Sequence, residues 1–176
     1  MNHDDHVALL RGGIDRPGGV WADFGSGTGA FTLALADLIG PGGVIYSIER
    51  DRTALAQQER SLRERFPNSI VHYRVADFTH PIRDSVPLLD GIVMANALHF
   101  HRNKEPILQL MKSYLRPQGH FILVEYNIEQ GNSAVPYPLS YRQWEQLAQR
   151  SGFDRTRLLM TRPSRFLKEI YSAVSE

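Results

Sequence analysis

The sequence predicts an α/β fold: a doubly wound, mostly parallel sheet of seven strands, with helices on both faces and an antiparallel C-terminal hairpin strand. Three observations predict it. Apolar runs of strand length alternate with helix-period segments five times along the chain, and such alternation builds a parallel sheet covered on both sides. The first run leads straight into a glycine-rich turn, Gly25-Ser26-Gly27-Thr28-Gly29, which opens a helix. The last two runs are joined by a short proline-containing turn, Thr161-Arg162-Pro163-Ser164-Arg165, which reads as a hairpin and requires one antiparallel strand.

The chain has 176 residues, 42% hydrophobic and 22% charged, with formal net charge +1 and no cysteine. That length suits one domain over residues 1–176. A charge near zero gives no strong field for nucleic acid. The lack of cysteine excludes disulfides, thiolate metal sites and a cysteine nucleophile, and fits a cytoplasmic protein. The first residues, Met1-Asn2-His3-Asp4-Asp5-His6, lack the basic-then-apolar order of a signal peptide. No apolar run approaches the ~20 residues that span a bilayer. His3 and His6 read as solvated side chains rather than metal ligands, and no metal site is expected.

Taken in order, residues 4–12 form a short leading helix carrying Val7, Leu9 and Leu10. Gly12, Gly13, Pro17, Gly18 and Gly19 interrupt the chain before the first strand, 19–24. The helix after the turn, 29–39, places Phe31, Ala34, Leu35, Leu38 and Ile39 at helical spacing and stops at Gly40-Pro41-Gly42-Gly43. A second buried strand covers 43–48, with Glu49 at its end. Asp51 caps a helix over 52–66, ended by Pro67-Asn68. A third strand spans 70–75 and is followed by Ala76-Asp77-Phe78. The fourth, 89–95, runs into Asn96-Ala97-Leu98-His99-Phe100-His101. The next helix carries Ile107, Leu108, Met111, Tyr114 and Leu115 on one face and stops at Pro117-Gln118-Gly119. The fifth strand, 120–126, is apolar in its middle, as a doubly covered strand should be. The irregular segment 127–139 has the length of a functional lid. Ser140 caps a helix with Trp144, Leu147 and Ala148 inward, closed by Gly152. Strands 153–160 and 166–174 complete the chain.

The turn carries the chemistry. Glycines accept φ > 0 and bring backbone close to a ligand. The helix N-terminus behind them suits an anionic group. Gly25, Gly27 and Ala30 also satisfy the dinucleotide pattern G-x-G-x-x-G/A. Asp23 and Gly29 shift the reading. Asp23-Phe24-Gly25-Ser26-Gly27-Thr28-Gly29 resembles the first motif of the class I methyltransferases that use S-adenosylmethionine (SAM). An acid at this strand end suits a ligand bearing an ammonium and a sulfonium better than it suits a pyrophosphate. The resemblance covers nearly the whole chain from residue 18. It implies a seventh strand inserted antiparallel between the fifth and sixth.

The resemblance also implies the roles of particular residues. Asp23, Phe24, Gly25, Gly27, Thr28 and Gly29 would form the methionine and turn site, Glu49 and Arg50 the ribose site, Asp77 and Phe78 the adenine site, and Asn96 the region beside the sulfonium. An acid about 20 residues beyond a glycine turn is where ribose hydroxyls are bound in doubly wound folds generally. His99 and Tyr126 are the candidates for catalysis. His101, Tyr137, Arg162 and Arg165 are candidates for holding a small, negatively charged acceptor, through guanidinium pairing and stacking on aromatic rings. Two alternatives stand beside this reading. One is an NAD(P)-dependent oxidoreductase on a similar sheet, although no Tyr-x-x-x-Lys proton relay is visible. The other is a SAM-binding regulatory module without activity.

Overall fold

A computed structural model describes residues 1–82 and 86–176. It contains helices α1 (His3–Arg11), α2 (Ala30–Ile39), α3 (Arg52–Arg65), α4 (Glu105–Tyr114) and α5 (Tyr141–Arg150). The strands are β1 (Gly19–Phe24), β2 (Gly43–Glu49), β3 (Ile70–Val75), β4 (Leu89–Ala95), β5 (Leu115–Tyr126), β6 (Thr156–Pro163) and β7 (Glu169–Ser175). They form one seven-stranded sheet in the order β3-β2-β1-β4-β5-β7-β6. The β1–β2, β1–β4, β2–β3 and β4–β5 pairs are parallel, and β7 runs antiparallel to both β5 and β6. The expected α/β sheet and its inserted seventh strand are both present.

Side-chain alternation divides the apolar residues of the strands between two cores. Ala22, Phe24, Ile92, Met94, Phe121, Leu123, Tyr171 and Ala173 face the layer made by α4 and α5. Trp21, Val93, Ile122, Val124, Ile170 and Val174 face α1, α2 and Leu62 of α3. The helix ends follow local chemistry. Asn2 and Asp5 form a reciprocal capping box on α1, Asp51 accepts the Thr53 and Ala54 amides on α3, and Ser140 and Gln143 form a second box on α5.

Several element boundaries differ from the sequence reading; β6 starts at Thr156 rather than 153, and β7 at Glu169 rather than 166. Helix α4 ends at Tyr114, and Leu115 already pairs with Leu89 in the sheet. Pro117-Gln118-Gly119 is therefore an irregularity inside β5 rather than a helix stop, with Gln118 at φ 64°. β6 extends to Pro163 because it pairs only with β7 and lies at the sheet edge, where a missing N–H leaves no ladder bond unmade. The hairpin turn is accordingly Ser164 to Lys168, closed by the Ser164 amide donating to the Lys168 carbonyl. His3 and His6 are also not plainly solvated. His3 Nε2 lies 3.0 Å from Asp37 Oδ2, and the His6 ring packs 4.8 Å from Phe31.

Tyr171 fastens the inserted strand to the helical layer. Its hydroxyl, fully buried, donates to the Leu139 carbonyl at 3.0 Å just ahead of α5. Tyr171→Phe leaves that carbonyl without its donor. Urea denaturation should show a loss of about 1–3 kcal/mol, with far-UV circular dichroism unchanged.

Candidate functional site

A cleft of about 690 Å³ opens at the C-terminal ends of β1, β2 and β4, within the range of about 300–1,000 Å³ typical of small-molecule sites. The strand order changes direction between β1 and β4, and open α/β sheets bind ligands at that point.

The glycine turn is stitched to β2. The Gly25 and Ser26 amides donate to the Ile48 carbonyl at 2.9 and 3.2 Å, and the Gly27 amide donates to Glu49 Oε2 at 2.9 Å. Glu49 Oε1 accepts the Asp51 amide at 2.9 Å, so one carboxylate fixes both the turn and the start of α3. Gly27 has φ +53°, and a Cβ built there would meet no atom within 4 Å, because it would stand in the cleft. Gly29 plays another part. It caps α2 at φ 91°, and a Cβ there would lie 2.3 Å from Gln58 Cγ. Its constraint is packing, and it does not line the cleft.

Under the turn runs a polar network that the sequence did not reveal. Gln58 Nε2 donates to Thr32 Oγ1 at 2.7 Å and to Ser47 Oγ at 2.8 Å. Ser26 and Ser47 hydroxyls lie 2.7 Å apart, and Thr32 Oγ1 donates to Asp23 Oδ2 at 2.6 Å. Asp23 is 1% exposed. Burial pushes its carboxyl up to about 7, the Thr32 hydroxyl opposes that shift, and the Glu49 charge adds to it.

The opposite wall comes from the loops after β3 and β4. Asp77, Phe78, Asn96, Ala97 and His101 all line the cleft. Asp77 Oδ1 accepts the Thr79 amide at 2.9 Å and its hydroxyl at 2.7 Å, and these two bonds hold its carboxyl below the usual carboxylate range. His101 stands edge-on to Phe78 at 5.3 Å, and burial lowers its imidazole below the ordinary value. It belongs to the Asp77–Phe78 wall. Asn96 adopts φ 51°, a conformation Asn tolerates better than most residues. Its Oδ1 is buried with no partner among the described residues, an acceptor waiting for a donor. Met1, His6 and Phe31 close one end of the cleft.

These features fit SAM. Two acids, Asp23 and Glu49, stand on one side, an apolar ring and a third acid on the other, and an unpaired acceptor lies between them. Thr28 and Arg50 line the cleft as well.

Several expected residues lie elsewhere. Phe24 alternates away from Asp23 into the α4 core, stacked on Tyr114 at 5.8 Å. Arg162 is ion-paired with Asp5 of α1, and Arg165 is exposed on the hairpin turn. Neither arginine lines the cleft, so the structure does not assemble the anion clamp. No residue of segment 127–139 lines it either. That segment is pinned down instead. The Tyr137 amide donates to the His99 carbonyl at 2.9 Å, and the buried Lys104 Nζ donates to the His101 and Tyr137 carbonyls at 2.7 and 2.9 Å. His99 and Tyr126 sit just beyond the cleft. His99 is 3% exposed, with Nδ1 2.6 Å from Glu125 Oε2, and its ring is 6.3 Å from that of Tyr126. Among the described residues there is no cluster of three or more His, Cys, Asp or Glu arranged to hold a metal ion, and no helix is long and apolar enough to cross a membrane.

The buried Asp23 predicts a pH dependence. Its folded value, about 7, lies above the unfolded value of 3.8, so the folded chain keeps a proton that the unfolded chain releases. Stability from this group is complete below about 4 and is lost as pH rises towards about 7. Asp23→Asn, which never ionises, should gain stability relative to the parent across that window. Thermal melts at pH 5 and pH 8 check the sign.

Comparison with known proteins agrees with this geometry. A family model described as a methyltransferase domain matches residues 16–162. No curated protein sequence matches the chain. Among solved structures, the YcgJ protein of Bacillus subtilis superposes with TM-score 0.77 at 12% identity, covering 99% of each chain. A SAM-dependent methyltransferase from Aquifex aeolicus gives TM-score 0.70 at 14% identity, covering 99% of this chain and 98% of that one. An arsenic(III) SAM methyltransferase from Chlamydomonas reinhardtii gives TM-score 0.74 at 15% identity, and the present chain spans 64% of its length. On the family match, with a fold and cleft to suit, the chain belongs to the methyltransferase-domain family, whose methyl donor is S-adenosylmethionine.

Proposed function

We propose that this protein transfers the methyl group of SAM to a small-molecule acceptor. One observation carries the reading: acids from three strand ends, Asp23, Glu49 and Asp77, converge on one cleft with the unpaired Oδ1 of Asn96 among them. When bound, SAM supplies a methyl group on a sulfonium, an electrophile with a neutral thioether as its leaving group. The chain then has to align an acceptor with that bond and keep water away.

In this reading Glu49 binds the ribose hydroxyls through the lone pairs its amide bonds leave unused. Asp77 and Phe78 hold the adenine edge and face, with His101 behind Phe78. Asp23 meets the cationic end of the ligand, whose positive charge favours the ionised carboxylate and draws off the proton that burial retains. Asn96 Oδ1 accepts a hydrogen bond from the bound donor.

Calorimetry with SAM, S-adenosylhomocysteine and NAD(H) tests the reading. SAM and S-adenosylhomocysteine should bind and NAD(H) should not, and the reverse result would move the chain to the oxidoreductases. SAM binding without turnover of any acceptor would leave a regulatory module.

Glu49→Ala should weaken SAM about 10- to 100-fold, the worth of hydrogen bonds to a charged acceptor. Unchanged affinity in the same titration would remove Glu49 from the site. Gly27→Ala should cost about 1–2 kcal/mol of stability, from a left-handed backbone bearing a Cβ. It should cost far more in SAM binding, since the methyl projects into the cleft. Parallel melts and titrations separate the two effects.

A further inference from the structure

Glu125 is the last inward-facing residue of β5 and is fully buried. A carboxylate in that position is expensive unless its oxygens are paired. Both are paired by one residue: the His99 amide donates to Oε1 at 3.2 Å, and His99 Nδ1 lies 2.6 Å from Oε2. A carboxylate oxygen at that distance accepts a hydrogen bond from Nδ1–H and so keeps the proton on Nδ1, which leaves the lone pair of the neutral ring on Nε2. Nε2 has no hydrogen-bond partner among the described residues.

The rings around His99 form a continuous track. Phe100 lies 4.3 Å from His99, lines the cleft and is 57% exposed. On the other side Tyr126 lies 6.3 Å from His99 and 5.7 Å from Phe166, which projects from the hairpin turn and is 61% exposed. The two exposed rings, Phe100 and Phe166, thus stand at opposite ends of the track, with His99 and Tyr126 between them. The track runs from the mouth of the SAM cleft across the C-terminal ends of β4 and β5 to the N-terminal end of β7, where the hairpin turn lies.

We infer that this track is the acceptor site, that it takes a planar aromatic molecule bearing an acidic hydroxyl, and that His99 Nε2 removes the hydroxyl proton while Glu125 holds the imidazole. The inference rests on the methyltransferase reading. As the acceptor oxygen forms its bond to the methyl carbon, the S–CH₃ bond breaks and its electron pair stays on sulfur. The hydroxyl proton passes to Nε2, and Glu125 balances the imidazolium until the proton is lost to water. His99 is then a catalytic residue and Glu125 a positioning residue. The acceptor is held by stacking on Phe100, Tyr126 and Phe166 rather than by pairing with the hairpin arginines.

The test uses the full chain saturated with S-adenosylhomocysteine, titrated with 4-nitrophenol, 2-naphthol and, as an aliphatic control, cyclohexanol. The phenols should bind at least ~10-fold more tightly than cyclohexanol, and Phe100→Ala and Phe166→Ala should each weaken them several-fold; Phe166→Ala, whose ring does not line the cleft, should leave S-adenosylhomocysteine affinity intact. With SAM, phenols that bind should be methylated on oxygen. His99→Asn should lower kcat by about 10²–10⁴-fold, the worth of a positioned base, with phenol affinity within about threefold of the parent. Glu125→Gln keeps the shape and an acceptor oxygen for Nδ1 but loses the charge. It should lower kcat with KM unchanged, and it should lower the melting temperature as well, because the new NH₂ faces the His99 amide that Oε1 had accepted. Phenols binding no better than cyclohexanol, affinity indifferent to Phe100 and Phe166, bound phenols left unmethylated, or a kcat untouched by His99→Asn would each overturn the inference. In all of those cases intact S-adenosylhomocysteine binding leaves the methyltransferase reading standing, whereas loss of that binding in the parent protein would remove both.

Discussion

The architecture around the cleft depends on one primary amide. Gln58 reaches from α3 beneath the glycine turn and donates to Thr32 on α2 and Ser47 on β2, while Ser26 and Asp23 complete the same network. Both amide protons are spent on hydroxyls that are themselves buried, so the three elements are held in one relative placement. The conformation of the turn follows. Gly29 has to be glycine because the Gln58 stem occupies the place its side chain would take. Gly27 has to be glycine for the opposite reason, an empty space that must stay empty. Two glycines in one motif thus answer to two different constraints, one from behind and one from in front.

The parts of the site that were legible in the sequence are those whose position follows from chain direction. Asp23, Glu49, Asp77 and Asn96 each stand at or just beyond the C-terminal end of a parallel strand, so locating the strands located them. Phe24 shows the limit of that reasoning. It adjoins Asp23 in sequence, yet the two-residue period of the strand sends it to the other face. Gln58 and Glu125 were illegible for another reason. Each is a polar residue in a helix or strand pattern, and only the packed fold shows that it is buried and what it meets. His6 is similar. A histidine near a chain end reads as solvated, and only the docking of α1 on α2 brings it to Phe31 and the cleft.

The arginines of the hairpin and the lysine after β4 show how cations are used in this fold. Arg162 pairs with α1 and so ties the far edge of the sheet to the helix that closes one end of the cleft. Lys104 is bonded to two backbone carbonyls and holds segment 127–139 against the loop that carries His99. Burial lowers its ammonium below the ordinary lysine value, a cost carried to keep that loop in one conformation. These two cations organise the walls of the cleft, while acids, aromatic rings and Arg50 are among the residues that line it.

The place of β7 has a consequence for how the chain is made. It is the last strand in sequence, yet it lies inside the sheet with β5 on one side and β6 on the other. During synthesis β1 to β5 can assemble with their neighbours as they emerge. β6 cannot, because its only ladder is with β7. Until β7 arrives, the outer edge of β5 stays open, and both cores lack a row of side chains, Tyr171 and Ala173 on one face and Ile170 and Val174 on the other. A ribosome-bound chain halted before β7 therefore presents an unpaired sheet edge and an unfinished interior, the combination that draws chaperones and invites strand exchange between neighbouring chains.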